Sequence, residues 1–329
     1  MAADPIGIVG GGAWGTALAQ AAAAAGRNVI LWMRDPDLAR EVEKSRINVR
    51  YLPKVRLDAR IRITASADEL GAAGSVLFVV PAQAMRGTVK ALSPHLAADA
   101  PLVICAKGIE RDTGLFLSDV VAELRPRAPV AVLSGPSFAA DVARGLPTAV
   151  TLACRDGARA SELAAGLSDR TFRVYHATDV RGAEIGGAAK NVLAIACGIV
   201  QGRGLGESAK AALTARGFAE LMRFARAYGA QPETLMGLSG LGDVVLTCSS
   251  AQSRNFAFGE RLGRGVPLAE ASAGKLVEGA FTASALIDLA RASDVDMPVS
   301  EAVAAVIAGR MSIDAAASAL MSRPLKAEH

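Results

Sequence analysis

The chain has 329 residues, more than the roughly 100–200 residues of one ordinary core, so two domains are expected. Apolar residues make up 51% of it but aromatic residues only 4%, which favours helices packed through small side chains over an all-β core. The formal net charge of +4 arises from interspersed acids and bases, without the basic block of a nucleic-acid surface. We therefore expect no nucleic-acid partner.

The cysteines and the start of the chain both indicate the cytoplasm. The four cysteines are far apart and form neither a C-x-x-C pair nor a disulfide framework, which favours a reducing compartment. The first residues enter an apolar strand without the parts of a secretion signal. The alanine-rich stretch 17–26 is too short for a membrane span, so no stable membrane association is expected. The cysteines are Cys105, Cys154, Cys197 and Cys248.

Histidine is scarce, which restricts the chemistry that the chain can use. His95, His176 and His329 have no second histidine at helical spacing, so no metal site is expected. Each is interpreted as a solvated or loop residue. Acid–base catalysis must therefore fall to another side chain.

The first half of the chain alternates short apolar runs with helical patterns, which predicts an α/β fold with a mostly parallel sheet. Several of these runs are apolar on both faces, as expected for strands covered by helices on each side. The sheet edges cannot be assigned from the pattern. The predicted strands are Ile6–Val9, Val29–Trp32, Val76–Val80, Leu102–Cys105, Val130–Leu133 and Ala149–Leu152.

From about Asp179 the strand pattern stops and Ala/Leu helical patterns follow, which predicts an all-α second domain. The predicted division is a Rossmann-like domain over 1–180 and a helical domain over 181–329. The predicted helices of the second domain are Gly182–Val200, Ser208–Tyr228, Ala257–Gly263, Thr282–Ala292 and Ser300–Gly309.

A glycine-rich turn after the first predicted strand indicates dinucleotide binding. Gly10, Gly12 and Gly15 form G-x-G-x-x-G between a strand and a helix, and the second strand follows at the expected spacing. Gly10 permits the turn, Gly12 lets backbone N–H groups approach a pyrophosphate, and Gly15 lets the helix pack closely on the strand. Trp14 within the turn is either a lid over the cofactor or a packing residue.

The residue at the tip of the second strand bears on the choice of cofactor. An NAD enzyme commonly places an acid there, whereas this chain has Arg34. A guanidinium can pair with the 2′-phosphate of NADP, so NADP (NADPH) is preferred. Asp35 next to it keeps NAD use open.

Lys190 and Asn191 lie within an otherwise apolar helical pattern. A buried ammonium must be partnered or have a lowered pKa, although a lysine can also extend along its stem to the surface. The helical neighbours of Lys190 on its own face are Ala or Gly, which leaves space for a ligand. In a dinucleotide enzyme without a suitable histidine, Lys190 is the candidate proton donor to a forming alkoxide.

Seven segments, of which the glycine turn is one, in combination closely resemble the NAD(P)-dependent sn-glycerol-3-phosphate dehydrogenase family of bacterial type, over Ile6 to about Val303. In this family the corresponding residues hold cofactor and substrate. The segments are Gly10–Leu18, Ala106–Glu110, Leu133–Ala139, Glu184–Asn191, Leu238–Asp243, Ser253–Asn255 and Val277–Gly279. Ala13 is a departure, because many relatives have Ser there.

The resemblance implies a role for each matching residue. Lys190 is the implied proton acceptor for glycerol 3-phosphate oxidation, with Lys107, Asp243 and Asn191 as the other catalytic candidates. Asp243 would hold Lys190 or a substrate hydroxyl, unless it is an ordinary helix N-cap. The implied substrate residues also include Gly135, Ser137, Ser253, Arg254 and Asn255. The implied cofactor residues are Gly10, Gly12, Ala13, Trp14, Gly15, Arg34, Lys107, Ala139, Arg254, Leu276 and Glu278.

The implied function is the interconversion of dihydroxyacetone phosphate and sn-glycerol 3-phosphate, which would supply glycerol 3-phosphate for phospholipid synthesis. Relatives also suggest a homodimer, for which the sequence identifies no interface. The alternative is a 2-dehydropantoate reductase or related hydroxyacid dehydrogenase, in which the Ser253–Asn255 segment would have no phosphate to bind. A non-catalytic redox sensor is a further alternative, against which the presence of Lys107, Lys190 and Asp243 argues.

Overall fold

The computed structural model describes residues 4–324, so His329 and the outer limits of the two predicted domains lie outside the described residues. Within this range the strands form one eight-stranded sheet in the order β3-β2-β1-β4-β5-β6-β7-β8. The strands are β1 (Ile6–Val9), β2 (Val29–Trp32), β3 (Ile61–Thr64), β4 (Ser75–Phe78), β5 (Leu102–Ile104), β6 (Val130–Ser134), β7 (Thr148–Cys154) and β8 (Phe172–Ala177).

The topology places the carboxyl ends of the central strands at one edge of the sheet. Neighbouring strands pair in parallel, except that β7 runs antiparallel to β6. The chain leaves β1 toward β2 and β3 and then crosses to β4 on the other side, so β1 and β4 flank a switch point. A crevice at such a point is the usual ligand site of an open α/β sheet.

The prediction of a mostly parallel sheet is confirmed, but it lacked both edge strands. β3 reads Ile61-Arg62-Ile63-Thr64, and only one face of it is apolar. β8 has a single fully buried residue, Phe172, and exposes Tyr175 and His176. Because an edge strand has a solvated side, neither carries the continuous apolar run that marks the inner strands.

Helices cover both faces of the sheet and make up the second half of the chain. In the first half they are α1 (Ala13–Ala24), α2 (Pro36–Ser45), α3 (Met85–Leu92), α4 (Leu117–Leu124), α5 (Ala139–Ala143) and α6 (Gly157–Leu167). In the second half they are α7 (Val180–Gly202), α8 (Glu207–Ala227), α9 (Pro232–Met236), α10 (Asp243–Ser249), α11 (Arg254–Gly263), α12 (Leu268–Ala271), α13 (Glu278–Ala292), α14 (Pro298–Ile307) and α15 (Ile313–Met321).

The long helix α7 is the centre of the helical core. It is long and apolar enough to cross a membrane, but 89% of its most apolar window is buried inside the protein, as in the core helix of a globular domain. Glycines let α11 lie directly against it. A Cβ at Gly198 would lie 2.1 Å from the Phe256 carbonyl oxygen, and one at Gly259 2.1 Å from that of Ile195. This close approach brings the beginning of α11 to the middle of α7.

Candidate active site

The glycine-rich turn joins β1 to α1 in the geometry of an anion site. Gly10 has φ of +120°, and a Cβ there would lie 2.5 Å from the Val79 carbonyl oxygen at the end of β4. A Cβ at Gly15 would lie 1.9 Å from the Gly10 carbonyl oxygen, whereas one at Gly12 would meet open space. Gly12 precedes α1, so the free N–H groups of the first helical turn face this space.

Asn48, which sequence reasoning missed, stabilises this turn from the loop after α2. It is fully buried, and its Nδ2 donates to the Gly11 carbonyl oxygen (2.9 Å) and to Thr16 Oγ1 (2.8 Å). Ala13 and Trp14, which lie between Gly12 and Gly15, are half-buried. Ala13 and Trp14 pack against the core of the sheet domain, which supports the packing interpretation of Trp14.

Arg34 and Asp35, which follow β2 after Met33, have different surroundings. Asp35 Oδ1 accepts hydrogen bonds from the backbone N–H groups of Asp37 (3.0 Å) and Leu38 (3.2 Å), and so caps α2. Arg34 is exposed and forms no salt bridge with any residue between 4 and 324. The guanidinium is therefore available to an anionic ligand, while the neighbouring carboxylate already has a structural role.

A buried cluster brings two lysines and one carboxylate together. Lys190 Nζ donates to Asp243 Oδ1 (2.7 Å) and to Thr247 Oγ1 (2.7 Å). Lys107 lies in the loop after β5, and its Nζ donates to Asp243 Oδ2 (2.5 Å) and to the Gly135 carbonyl oxygen (3.1 Å). Lys190 is only 7% exposed, so its side chain does not extend to the surface. Asp243 binds lysines rather than capping α10, so the N-cap alternative is wrong.

The electrostatics of the cluster suit proton exchange. Burial is the main cause that lowers the pKa of Lys190, to about 8, and Asp243 partly offsets it. Burial alone would raise the pKa of Asp243, but Lys107 and Lys190 outweigh that effect and lower it. Asp243 thus stays ionised while Lys190 titrates near physiological pH.

A π-helical turn over Leu238–Gly242 aims Asp243 at α7. A Cβ at Gly240 would lie 2.0 Å from the Leu235 carbonyl oxygen, and one at Gly186 of α7 would lie 2.3 Å from that of Ser239. The turn and α7 therefore touch through their backbones. Such π-turns occur often at functional sites. Thr247 was missed by sequence reasoning, although its position one helical turn after Asp243 places both side chains on one face of α10.

The loop after β6 supplies a second edge of the site. Gly135 has φ of +146°, and a Cβ there would lie 2.8 Å from Val150 Cα, so only glycine fits. Its carbonyl oxygen accepts from Lys107 and from Ser137 Oγ (3.2 Å). Ala139 begins α5 and packs against the core that also contacts Ala13 and Trp14.

The segment Ser253–Asn255 begins α11 and is mostly buried. Ser253 Oγ accepts from the Phe256 N–H, so Ser253 is the N-cap, and the helix starts one turn before its predicted beginning. Asn255 Nδ2 donates to Asn191 Oδ1 (2.9 Å), next to Lys190. Arg254 is exposed. A cationic side chain and a helix N-terminus therefore lie beside Lys190.

Two other predicted residues lie at the beginning of α13. Glu278 Oε1 accepts from the Ala82 N–H (3.3 Å), which links α13 to the loop after β4. Burial raises the pKa of Glu278, while the charges of Arg254, Lys107 and Lys190 oppose that shift. Leu276 is 37% exposed and has no described contact with the lysine cluster.

The comparisons with known proteins agree with this arrangement. Family models for the N-terminus and the C-terminus of NAD-dependent glycerol-3-phosphate dehydrogenase match residues 5–160 and 179–318. The chain is 62% identical to a glycerol-3-phosphate dehydrogenase [NAD(P)+] of Methylobacterium radiotolerans, with 99% of both chains covered. A crystal structure of glycerol-3-phosphate dehydrogenase from Coxiella burnetii superposes with a TM-score of 0.92 at 37% identity, covering 97% of this chain and 99% of that one.

The alternative enzyme class shares only the fold. A 2-dehydropantoate 2-reductase from Methylococcus capsulatus matches with a TM-score of 0.63 at 16% identity, covering 98% of this chain and 99% of that one. Both matched family models and the full-length identity thus favour the same assignment as the site residues. The chain belongs to the NAD-dependent glycerol-3-phosphate dehydrogenase family.

Proposed function

We propose that the chain interconverts dihydroxyacetone phosphate and sn-glycerol 3-phosphate, using a nicotinamide dinucleotide as redox partner. The observation that carries the proposal is the buried Lys190–Asp243–Lys107 cluster, which adjoins both the carboxyl end of the sheet and the N-terminus of α11. Family membership supports it. In the reductive direction the product would be the glycerol phosphate used in phospholipid synthesis.

Lys190 is the proposed acid and base. When bound, the nicotinamide dinucleotide supplies hydride to the ketone carbon or accepts it from the alcohol. Protonated Lys190 gives a proton to the forming alkoxide, and neutral Lys190 takes the hydroxyl proton in the reverse direction. Asp243 and Thr247 hold Nζ in place, and Lys107 adds positive charge where negative charge develops on the substrate oxygen. Asn191 fixes Asn255 beside them.

The phosphate would be held at the beginning of α11. Arg254 supplies a guanidinium, Asn255 an amide and the first turn of the ten-residue helix its free N–H groups. On the side of the sheet, the backbone of Gly135 and the hydroxyl of Ser137 complete the pocket. This anchoring fixes the carbonyl relative to Lys190, an effect that can lower the barrier by several kcal/mol.

The glycine-rich turn fits the pyrophosphate of the dinucleotide, because Gly12 faces open space at the N-terminus of α1. We assign Arg34 to the 2′-phosphate, and hence a preference for NADPH, because Asp35 caps α2 and Arg34 is exposed. Ala13, Trp14, Ala139, Leu276 and Glu278 are the proposed remaining cofactor neighbours.

Compartment and assembly complete the proposal. The four cysteines, all within the described residues, are free buried thiols, in keeping with a cytoplasmic enzyme. A homodimer is proposed on the family resemblance alone. Size-exclusion chromatography with light scattering tests it, and a monomer at micromolar concentration would contradict it.

Lys190→Met tests the assignment of the proton donor, because Met retains the length of the side chain without its charge. In single-turnover reduction of dihydroxyacetone phosphate we expect the rate to fall by about 10²–10⁴-fold. NADPH affinity should stay within about twofold. Lys90→Met, on the exposed face of α3, is the matched control and should react like the parent. A Lys190→Met rate equal to that of the parent would refute the role.

A further inference from the structure

Glu184 joins the helical domain to the cofactor domain at a place that the proposed chemistry does not use. It lies in α7, is 7% exposed, and accepts hydrogen bonds from the backbone N–H of Ser118 (2.7 Å) and from Ser118 Oγ (2.5 Å). Ser118 is the second residue of α4, which has no side-chain cap of its own. The Glu184 carboxyl therefore caps α4 from another domain.

A second residue of α7 strengthens the same contact. Arg181 NH2 donates to both carboxylate oxygens of Asp119 (2.9 and 2.8 Å), and its guanidinium lies over the ring of Phe116 at 4.0 Å. Arg181 NH1 also reaches Glu184 (3.4 Å). The first two turns of α7 are thus fixed to the beginning of α4 by charge, hydrogen bonds and stacking.

This contact lies next to the segment that carries Lys107. The chain runs from Lys107 into α4, and Ile109 and Phe116 of that segment pair with each other as an isolated β-bridge. On α7, Gly187 approaches the same segment so closely that a Cβ would lie 3.3 Å from Lys107 Cγ. Lys190 follows one turn later. Glu184 and Lys190 are six residues apart, about 9 Å along a rigid helix.

We propose that Glu184 is a positioning residue that sets the Lys190 ammonium relative to Lys107 and to the substrate carbonyl. The two lysines come from different domains and share Asp243, so their spacing depends on how α7 rests on the cofactor domain. Glycines pack α7 closely against its surroundings. Gly186 contacts the backbone of Ser239, and Gly187 contacts the side chains of Ser134 and Lys107. A small displacement of α7 would move Lys190 directly.

Glu184→Leu removes the acceptor at similar volume, and Glu220→Leu is the matched control. Glu220 is also a buried carboxyl that caps a helix, accepting from the N–H groups of Val299 (2.7 Å) and Ser300 (3.2 Å), but it acts inside the helical domain. Burial raises the pKa of both carboxyls to about 7, so the two substitutions remove carboxyl groups of similar burial and similar pKa.

The inference rests on the proposed function, and the readout is kcat for reduction of dihydroxyacetone phosphate with NADPH. We expect Glu184→Leu to lower kcat by about 10- to 100-fold, as a misplacement near 1 Å can do, with NADPH affinity unchanged. Glu220→Leu should lose comparable melting temperature but keep kcat. Glu184→Gln should keep most of the parent kcat, because the amide oxygen can accept from the Ser118 N–H while the amide nitrogen donates to Ser118 Oγ, a hydroxyl that can also accept.

Ser118→Ala keeps the test valid if Glu184→Leu does not fold. It removes one donor without adding volume, and we expect a several-fold loss of kcat with little change in melting temperature. An unchanged kcat in Glu184→Leu or Ser118→Ala, or an equal loss in Glu220→Leu, would overturn the positioning role. Absence of activity in the parent protein would instead contradict the proposed function itself.

Discussion

Replacing Asp243 with Asn removes the carboxylate shared by both lysines while preserving the volume of the side chain. Asp243 lies 2.7 Å from Lys190 Nζ and 2.5 Å from Lys107 Nζ, and it is 1% exposed. An opposite charge this close typically raises a lysine pKa by about 1–3 units, each equivalent to about 1.4 kcal/mol. Without it, burial and the charge of Lys107 would dominate, so the Lys190 pKa should fall below its present value of about 8.

The assay is the pH dependence of kcat in both directions. Ketone reduction needs protonated Lys190, so its rate should decline as pH rises through about 8 in the parent protein. In Asp243→Asn this decline should move to lower pH by about 1–3 units. Alcohol oxidation needs neutral Lys190, so its rising limb should move in the same direction. The apparent pKa values obtained from these pH profiles describe the coupled titration of Lys190 and Lys107 rather than of one lysine alone. A limb that stays in place or moves to higher pH would refute the assignment.

Four other substitutions test the cofactor site, the phosphate site and the packing of the glycine turn. Arg34→Leu should raise KM for NADPH by about 10- to 100-fold, the value of lost charged hydrogen bonds, and leave KM for NADH unchanged; equal effects on both would remove the 2′-phosphate role. Arg254→Leu should lower kcat/KM for dihydroxyacetone phosphate by a similar factor of about 10- to 100-fold but not that for unphosphorylated dihydroxyacetone, and parallel losses would argue against phosphate binding. Gly15→Ala should reduce the free energy of unfolding by about 1–3 kcal/mol in chemical denaturation, because its Cβ would overlap the Gly10 carbonyl. Gly12→Ala, which faces open space, is its control and should weaken only NADPH binding; similar stability of the two variants would contradict the geometry.

Much of the fold can be predicted from local sequence patterns. The inner strands are apolar on both faces, and five helices of the second half repeat apolar residues at helical spacing, so these elements were predictable. Helices α9, α10, α12 and α15 were not among the predicted ones. The edge strands were not, because Arg62, Arg173 and His176 interrupt their apolar runs. Helices α11 and α13 begin a turn earlier than predicted, since Arg254, Asn255 and Glu278 at their starts are charged or polar and interrupt the apolar pattern.

The site was predictable where a residue was out of place for its surroundings. Lys190 stood out as a charge in an apolar helix, and Asp243 followed from the family resemblance. Thr247 and Asn48 were missed, and Glu184 was given no role of its own within the Glu184–Asn191 segment, because a polar residue within a helix or loop has many ordinary roles. Their functions depend on contacts with residues distant in the chain, which only the assembled tertiary structure brings within hydrogen-bonding distance.

The most direct test of the proposed reaction is the absorbance of reduced nicotinamide when the purified protein is mixed with NADPH and dihydroxyacetone phosphate, with unphosphorylated dihydroxyacetone and 2-dehydropantoate as parallel substrates. We predict rapid loss of absorbance with the phosphorylated ketone and a rate lower by orders of magnitude with the other two. Equal rates with dihydroxyacetone, faster oxidation with 2-dehydropantoate, or no oxidation with any of the three would contradict the assignment of the Lys190 cluster and the α11 phosphate site.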